Sequence, residues 1–244
     1  MKSRYILLCL LAVWFNLTAH PTLDIRMDAI DNEIKQSASN AALYLQKGEV
    51  QRQNRDFSAA RQSFEHALKH GTAQPLYWYH LAKIARDQDK ISQAISLLTQ
   101  AVDWQIQQTI QNNTSVLIYI ELAELYTMTN QWVKAANNYL KALQLHHKID
   151  PGIYLLASHL FTQSGEAYLS SALQVIDLGL EQHPGRLCFH KKGIELALAG
   201  RQYRSAWKRF YYLIQTHPGL SRKAQQFTQL SCNQPLIHYN KAAL

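Results

Sequence analysis

Apolar and small residues recur along this chain with the spacing of amphipathic helices. The stretch NRDFSAARQSFEHAL, residues 54–68, puts Phe57, Ala60 and Phe64 on one helical face. Thirty-four residues later QDKISQAISLLTQAV repeats the same apolar and small positions with different letters. Gly (9) and Pro (6) are scarce, and no alternating β-branched run is bounded by turn signals. The pattern predicts an all-α protein.

The helical pattern recurs about five times between residues 40 and 218. Small residues mark equivalent positions in the successive copies: Gly48, Ala82 and Ala123 in the first helix, and Ala60, Ala94, Ala135, Ala172 and Ala206 in the second. Such residues let two helix backbones approach, and large residues such as Phe57, Trp132 and Tyr203 are expected to fill the space above them. We therefore predict closely packed helices.

Two places interrupt the regular period. The Gln-rich stretch DWQIQQTIQNN, residues 103–113, lengthens the spacing between the second and third copies. It predicts either a longer helix or a loop between repeats. The fourth copy, residues 152–184, has halves that are out of phase at GEAYLSS, residues 165–171. A longer turn is predicted there.

The repeat resembles the tetratricopeptide repeat (TPR) family over about residues 40 to 218, through its W-x2-L-G-x2-Y, Ala, Phe and Pro positions. The resemblance implies an α-solenoid of antiparallel helix pairs, a TPR-like superhelix. One pair cannot bury its apolar stripe alone, so neighbouring pairs must stack. We expect capping helices in residues 20–38 and 219–244, where apolar residues occupy one face of a polar helix.

The N-terminus, MKSRYILLCLLAVWFNLTAHP, resembles a secretory signal peptide in layout. Lys2 and Arg4 precede an apolar run that is too short to span a bilayer. We expect cleavage after Ala19, a signal peptide over residues 1–19 and a periplasmic protein without a membrane span. Retention of the segment as an anchor is the alternative. Lipidation of Cys9 is disfavoured because bulky Leu8 precedes it.

The TPR resemblance implies that first helices line a concave groove that binds a protein or peptide. Four apolar residues at one groove position would form a ladder for an extended segment, or would pack against neighbouring helices. A carboxylate clamp is not expected, because the matching positions lack Lys and Asn. The predicted groove residues are Leu45, Glu49, Arg52, Tyr79, Lys83, Arg86, Ile120, Glu124, Leu155, His159 and Lys191.

Charge is unevenly distributed. Residues 20–185 carry 13 Lys and Arg against 16 Asp and Glu, whereas residues 186–244 carry 10 basic residues against Glu195 alone. Such a field attracts an anionic envelope surface or an acidic protein, and nucleic acid less readily in an exported protein. A solvated face that only maintains solubility is the other interpretation. The predicted basic face comprises Arg201, Arg204, Lys208, Arg209, Arg222 and Lys223.

Catalytic motifs are not evident in the sequence. No phosphate-binding glycine loop, nucleophile elbow or CxxC pair appears. His66 and His70 lie four residues apart with no third ligand, so no metal or cofactor is expected. Cys188 and Cys232 are predicted to be free thiols unless the tail folds back. The sequence thus predicts a non-catalytic exported scaffold; the alternative is a structural accessory subunit of an envelope enzyme or secretion assembly.

Overall fold

The computed structural model of the protein describes residues 21–146 and 149–216. Within these ranges the chain forms α-helices and one 3-10 turn, without a strand. The helices are α1 Pro21–Gln36, α2 Ala41–Gln53, α3 Phe57–Lys69, α4 Gln74–Asp87, α5 Ile91–Gln107, α6 Asn113–Met128, α7 Trp132–Leu145, α8 Pro151–Gln163, α9 Leu169–Gln182, α10 Leu187–Ala199 and α11 Tyr203–Thr216. The predicted all-α fold of helix pairs is confirmed.

The chain divides into two compact units within α5, between Trp104 and Gln105. In the first unit α1 packs on α2, α2 on α3 and α3 on α4. In the second unit each helix from α6 to α11 packs on the next. Each unit therefore buries its apolar faces between helices that are neighbours in sequence, as a repeat architecture requires.

The turn inside four of the helix pairs has one recurring backbone conformation. A residue with φ of 55° to 63° follows the first helix at Arg55, Asp89, Asn130 and Arg201, whereas Gly165 in the fourth pair has φ 110° and ψ 174°. In the first pair the following amide, that of Asp56, donates to the carbonyl of Gln51 at 2.9 Å. This bond is typical of the Schellman cap, which satisfies carbonyls at a helix end. Asp56 then caps α3 through a side-chain bond from the amide of Ala59, so the chain reverses within three residues.

The small positions of the repeat lie in the interior. Phe64 fills the space between α2, α3 and α4, where its ring also stacks on His80 with 4.5 Å between centroids. It is fully buried, which stabilises the fold by about 1.5–3 kcal/mol. Fully or nearly fully buried small residues are Gly48, Ala60, Ala82, Ala94, Ala123, Ala135, Ala172 and Ala206.

Both interruptions of the period have a structural counterpart. The Gln-rich stretch extends α5 to Gln107 and then forms a short connection to α6. Asn112 begins α6 through a capping box with Ser115. In the fourth pair a 3-10 turn, Glu166–Tyr168, follows Gly165 and joins α8 to α9. The longer turn predicted at GEAYLSS is confirmed.

Several predictions fall outside the described residues. They concern the signal peptide in residues 1–19, the capping helix in residues 219–244, and Cys232. Cys188 is half-buried on α10 and forms no disulfide within the described part of the chain. Among residues 21–146 and 149–216, no helix combines the length and hydropathy that crossing a membrane would need.

Candidate partner-binding site

Four charged side chains on α2 and α4 form an ionic cluster, which we define as Glu49, Arg52, Lys83 and Asp87. Arg52 donates to both carboxylate oxygens of Glu49, at 3.1 Å from Nε and 2.6 Å from Nη2. Lys83 Nζ donates to Glu49 Oε1 at 2.9 Å, and Arg52 Nη1 donates to Asp87. The cluster therefore joins the first helices of two successive pairs. Arg86 lies at its edge, with Nε 3.7 Å from Asp87 Oδ1.

The cluster keeps Glu49 ionised. Burial alone would raise the pKa of the Glu49 carboxyl, but hydrogen bonds and charges from Arg52 and Lys83 outweigh burial and lower this pKa to about 2. Burial opposes the charge on Arg52, yet Glu49 and Asp87 raise the pKa of its guanidinium above the usual value. Paired charges of this kind are stabilised when their hydrogen bonds are satisfied.

His80 lies between the ionic cluster and the apolar core, with 12% of its side chain exposed. Its ring stacks on Phe64 and meets Tyr79 edge-on, with 5.3 Å between centroids. Its Nδ1 atom lies 3.9 Å from Glu49 Oε2 and has no hydrogen-bond partner within the described residues. Burial, and then the charge of Lys83, lower the pKa of His80 to about 4, although Glu49 acts in the opposite direction. At neutral pH the imidazole of His80 is therefore uncharged and packs as an aromatic ring.

An open cavity of about 430 Å³ lies beside the cluster, between α1, α2 and α4. Its size lies within the range of small ligand sites. Ile30, Leu45 and Ala29 supply apolar wall, whereas Gln46 and Arg26 are exposed polar residues at the cavity. The full lining comprises Arg26, Ala29, Ile30, Leu45, Gln46, Glu49 and His80. The cavity combines an apolar interior with a polar rim.

The apolar ladder is not a continuous open surface. Tyr79 is only 4% exposed, with Lys83 Nζ 5.6 Å from its ring centroid, and Ile120 is 1% exposed within the core of the second unit. Leu155 is half-buried and packs against that same core. The expectation that Tyr79 and Ile120 face a partner is wrong, because neighbouring helices already cover them. Leu45 alone of the four lines the cavity.

The remaining predicted groove residues lie in the second unit. Glu124 on α6 and Lys191 on α10 are half-buried, and His159 on α8 is exposed. In the first unit the structure brings together Leu45, Glu49, Arg52, Lys83 and Arg86, around the cavity and the ionic cluster.

The predicted basic face divides into two parts. Arg201, Arg204 and Lys208 are exposed around the start of α11. Arg209 instead forms a two-pronged ion pair with Asp177 on α9, at 2.5 and 2.8 Å. Arg209 therefore stabilises the packing of α11 on α9. The prediction that it belongs to the basic face is wrong, because its charge is paired with Asp177. Arg222 and Lys223 lie outside the described residues.

Large residues on α11 are more exposed than the repeat pattern predicts. Tyr203, predicted to fill interior space, is 66% exposed. Phe210 is 38% exposed, although the equivalent Phe64 of the first pair is fully buried. The reason is that Phe64 is covered by α2 and α4, whereas α11 is the last helix of the described chain.

The sequence analysis does not identify seven residues of these sites: Arg26, Ala29, Ile30, Gln46, His80, Asp87 and Asp177. A signal existed for the first unit, since Lys83 follows Glu49 by 34 residues, the period of the first two copies. Equivalent positions in successive copies lie side by side, so opposite charges there predict an ion pair. Asp177 and Arg209 are 32 residues apart and do not occupy equivalent repeat positions, so the period does not predict their ion pair.

The histidine pair on α3 has a packing role. His66 and His70 both stack on Tyr44, with centroid distances of 5.4 and 5.2 Å. Within the described ranges, no three His, Cys, Asp or Glu side chains are grouped as a metal site would need.

No family model and no curated protein matches the chain. Solved structures do. The chain is similar to the Pseudomonas aeruginosa protein pilF, with 17% identity, a TM-score of 0.51, and coverage of 93% of this chain and 96% of that one. It is similar to the C-terminal part of a TPR repeat-containing protein from Cytophaga hutchinsonii, with 13% identity, a TM-score of 0.53, and coverage of 84% and 78%.

Yeast Tom70 is a third similar structure, with 17% identity and a TM-score of 0.53. The match covers 83% of this chain and 42% of Tom70. Identities at this level concern the fold alone. Together with the helix pairs and their recurring turns, these matches show that the chain has a TPR-like helical-repeat fold.

Proposed function

We propose that the protein is a non-catalytic scaffold that binds a protein segment through its first-helix face, at the cavity between α1, α2 and α4. The supporting observation is the cavity itself, in which Leu45 and Ile30 form apolar wall next to the ordered ionic cluster. An apolar side chain of a partner would enter the cavity. Its backbone amides would bond to polar rim groups such as Gln46.

The ionic cluster would support this site by holding α2 and α4 at a constant spacing. Glu49 is bonded by both Arg52 and Lys83, so its charge is already neutralised before a partner arrives. A rigid, preformed site loses less conformational entropy on binding. In this proposal the ionic cluster holds the cavity-lining residues of α2 and α4 in position, and the apolar cavity contacts the partner's side chain.

Export and docking complete the proposal. The N-terminal layout supports secretion to the periplasm, with the signal segment cleaved or retained as an anchor. The basic residues Arg201, Arg204 and Lys208 would dock an anionic surface or partner. The accessory-subunit alternative uses the same fold but requires no open binding cavity.

The cavity can be tested with a filling variant. Ala29 is exposed and lines the cavity, so Ala29→Trp would fill it without altering the core. The matched control is Ala42→Trp, also at an exposed position but outside the cavity lining. Peptides selected on the full-length protein from a displayed random library would be measured by fluorescence anisotropy against each variant.

We expect Ala29→Trp to weaken binding at least tenfold, while Ala42→Trp binds as the unmodified protein does. A photo-crosslinker at exposed Gln46 should also form an adduct with the bound peptide. Equal peptide affinity of all three proteins would reject the cavity as the binding site and favour the accessory-subunit alternative.

A further inference from the structure

The outer flank of α11 is aromatic and exposed to an unusual degree. Tyr203, Trp207 and Tyr211 are 66%, 65% and 55% exposed, and Phe210 contacts Trp207 with 6.0 Å between ring centroids. These residues and Ile214 follow the spacing i, i+4, i+7, i+8 and i+11 of a single helical stripe. We define the four aromatic residues among them as the aromatic stripe.

Cations lie alongside this stripe. Arg204 and Lys208 occupy exposed positions four residues apart on α11, and Arg201 precedes the helix. Arg201, Tyr203, Arg204 and Lys208 line one open cleft at the start of α11, together with Gln202 and Ser205. That lining contains no carboxylate, and none of the three cations has an ion pair within the described residues.

A neighbouring flank of α11 packs against the rest of the second unit. Ala206 and Leu213 are buried there, and Arg209 passes over Gly193 of α10 to reach Asp177 on α9. Because the ion pair and the apolar contacts fix this flank, the helix presents its aromatic and cationic residues outward. Packing within the second unit therefore determines which side of α11 is exposed.

We propose that α11 docks the protein on the surface of a bilayer containing anionic phospholipids. Trp and Tyr are favoured at the boundary between headgroups and acyl chains, since each has an apolar body and a polar tip. Lys and Arg beside them are attracted by negative headgroups. The carboxylate-free cleft of Arg201, Arg204 and Lys208 fits the phosphate of a headgroup.

An acidic protein would also satisfy the cations, and aromatic residues are common at protein interfaces. We favour lipid because Tyr and Trp stand beside Lys and Arg along a single exposed helix, which is the composition of a helix at a membrane surface. The excess of basic residues in positions 186–244, with Glu195 as the single acidic residue there, gives the wider charge complementarity. The inference rests on the proposed docking role of the basic C-terminal repeat, and it specifies the docking partner as lipid.

The test is flotation of the full-length protein with vesicles of phosphatidylcholine, alone or mixed with phosphatidylglycerol. We expect binding to the mixed vesicles that weakens as salt is raised. The double variant Arg204→Gln with Lys208→Gln should partition roughly 30-fold less, because each basic residue near an anionic surface contributes about fivefold. Lys69→Gln with Lys90→Gln removes two exposed charges elsewhere and is the control.

The aromatic contribution is tested separately. Trp207→Ser should lower partitioning at least tenfold, whereas Ile106→Ser, which removes another exposed apolar side chain, should not. Addition of mixed vesicles should shift tryptophan fluorescence of the unmodified protein to shorter wavelength, and Trp207→Phe should lose that shift. Ala29→Trp should bind vesicles normally, which separates lipid docking from the cavity.

Three results would overturn the proposal. One is absence of binding to the mixed vesicles, or binding that the α11 variants do not alter. Another is displacement by inorganic phosphate alone, which would indicate a free anion as the ligand. The third is loss of self-association in Trp207→Ser without change in vesicle binding, which would assign the stripe to a second copy of the chain.

Discussion

The ring of Phe64 on α3 lies directly against the backbone of Gly48 on α2. A Cβ atom added at Gly48 would be 2.4 Å from Cε1 of that ring, far inside contact distance. Phe64 is fully buried and also stacked on His80, so it has little room to move. The absence of a side chain at Gly48 is what permits this close helix approach.

Gly48→Ala should therefore destabilise the first unit. Overpacking costs about 1–3 kcal/mol, which exceeds the roughly 1 kcal/mol that Ala gains over Gly within a helix. Urea denaturation followed by far-UV circular dichroism measures the change. Gly185→Ala is the control, since nothing lies within 4 Å of a Cβ added there. Equal stability of the two variants would refute the close approach.

The ionic cluster predicts a second destabilisation. Glu49→Gln leaves Arg52 and Lys83 without the carboxylate to which both donate, and should lower the free energy of unfolding by about 1–3 kcal/mol. Exposed Glu65→Gln, on α3, should change it by less than about 0.5 kcal/mol. Thermal unfolding at low and high salt would show whether the loss at Glu49 persists, as expected for a partly buried cluster.

The burial of His80 predicts a pH dependence of stability. The groups facing it are Glu49 and Lys83, with Arg52 nearby and the rings of Phe64 and Tyr79 packed on it. Its pKa of about 4 in the fold lies below the ordinary 6.5. Between these values the unfolded chain binds a proton that the folded protein does not, so stability falls as pH falls from about 6.5 to about 4.

His80→Gln should remove that slope, which amounts to at most about 3 kcal/mol. Chemical denaturation at a series of pH values from 6.5 to 4.5 measures it. This range lies above the window in which Glu49 loses its stabilising charge, between its ordinary pKa of 4.5 and about 2. Exposed His159→Gln is the control and should keep the full slope. An unchanged slope in His80→Gln would contradict the assignment.

The ion pair between Arg209 and Asp177 predicts coupling between α9 and α11. A double-mutant cycle with Arg209→Gln and Asp177→Asn should give about 1 kcal/mol of interaction energy, modest because Asp177 is 43% exposed at its side chain. Additive effects of the two substitutions would show that the pair contributes nothing. A pair of exposed residues, Lys134 and Glu166, provides the uncoupled reference.

The sequence alone predicts part of this architecture. The helix pairs, their approximate boundaries and the longer turn before α9 follow from small and large residues at repeating positions. The turn conformation was less accessible, because Arg55 and Arg201 adopt positive φ that their residue type disfavours. Their position at the end of a first helix, and the hydrogen bonds made there, impose it.

The candidate site was only partly predictable. Glu49, Arg52 and Lys83 were identified as polar groove residues, but their mutual pairing and the roles of His80 and Asp87 were not. Tyr79 and Ile120 share a repeat position with Leu45, yet they are buried while Leu45 lines a cavity. Position in a repeat does not determine exposure, because the helices covering each copy differ.

The sequence by itself determined that this chain forms paired helices. Small residues such as Gly48 and Ala60 allow two helices to approach closely, and this holds wherever the pair lies in the fold. Only the tertiary structure decided which surfaces stay open. Whether an aromatic residue is buried like Phe64 or exposed like Phe210 depends on whether a further helix packs over it. Whether a charged side chain can bind a partner depends on whether a neighbouring helix supplies an opposite charge. Both are set by contacts between helices rather than within one.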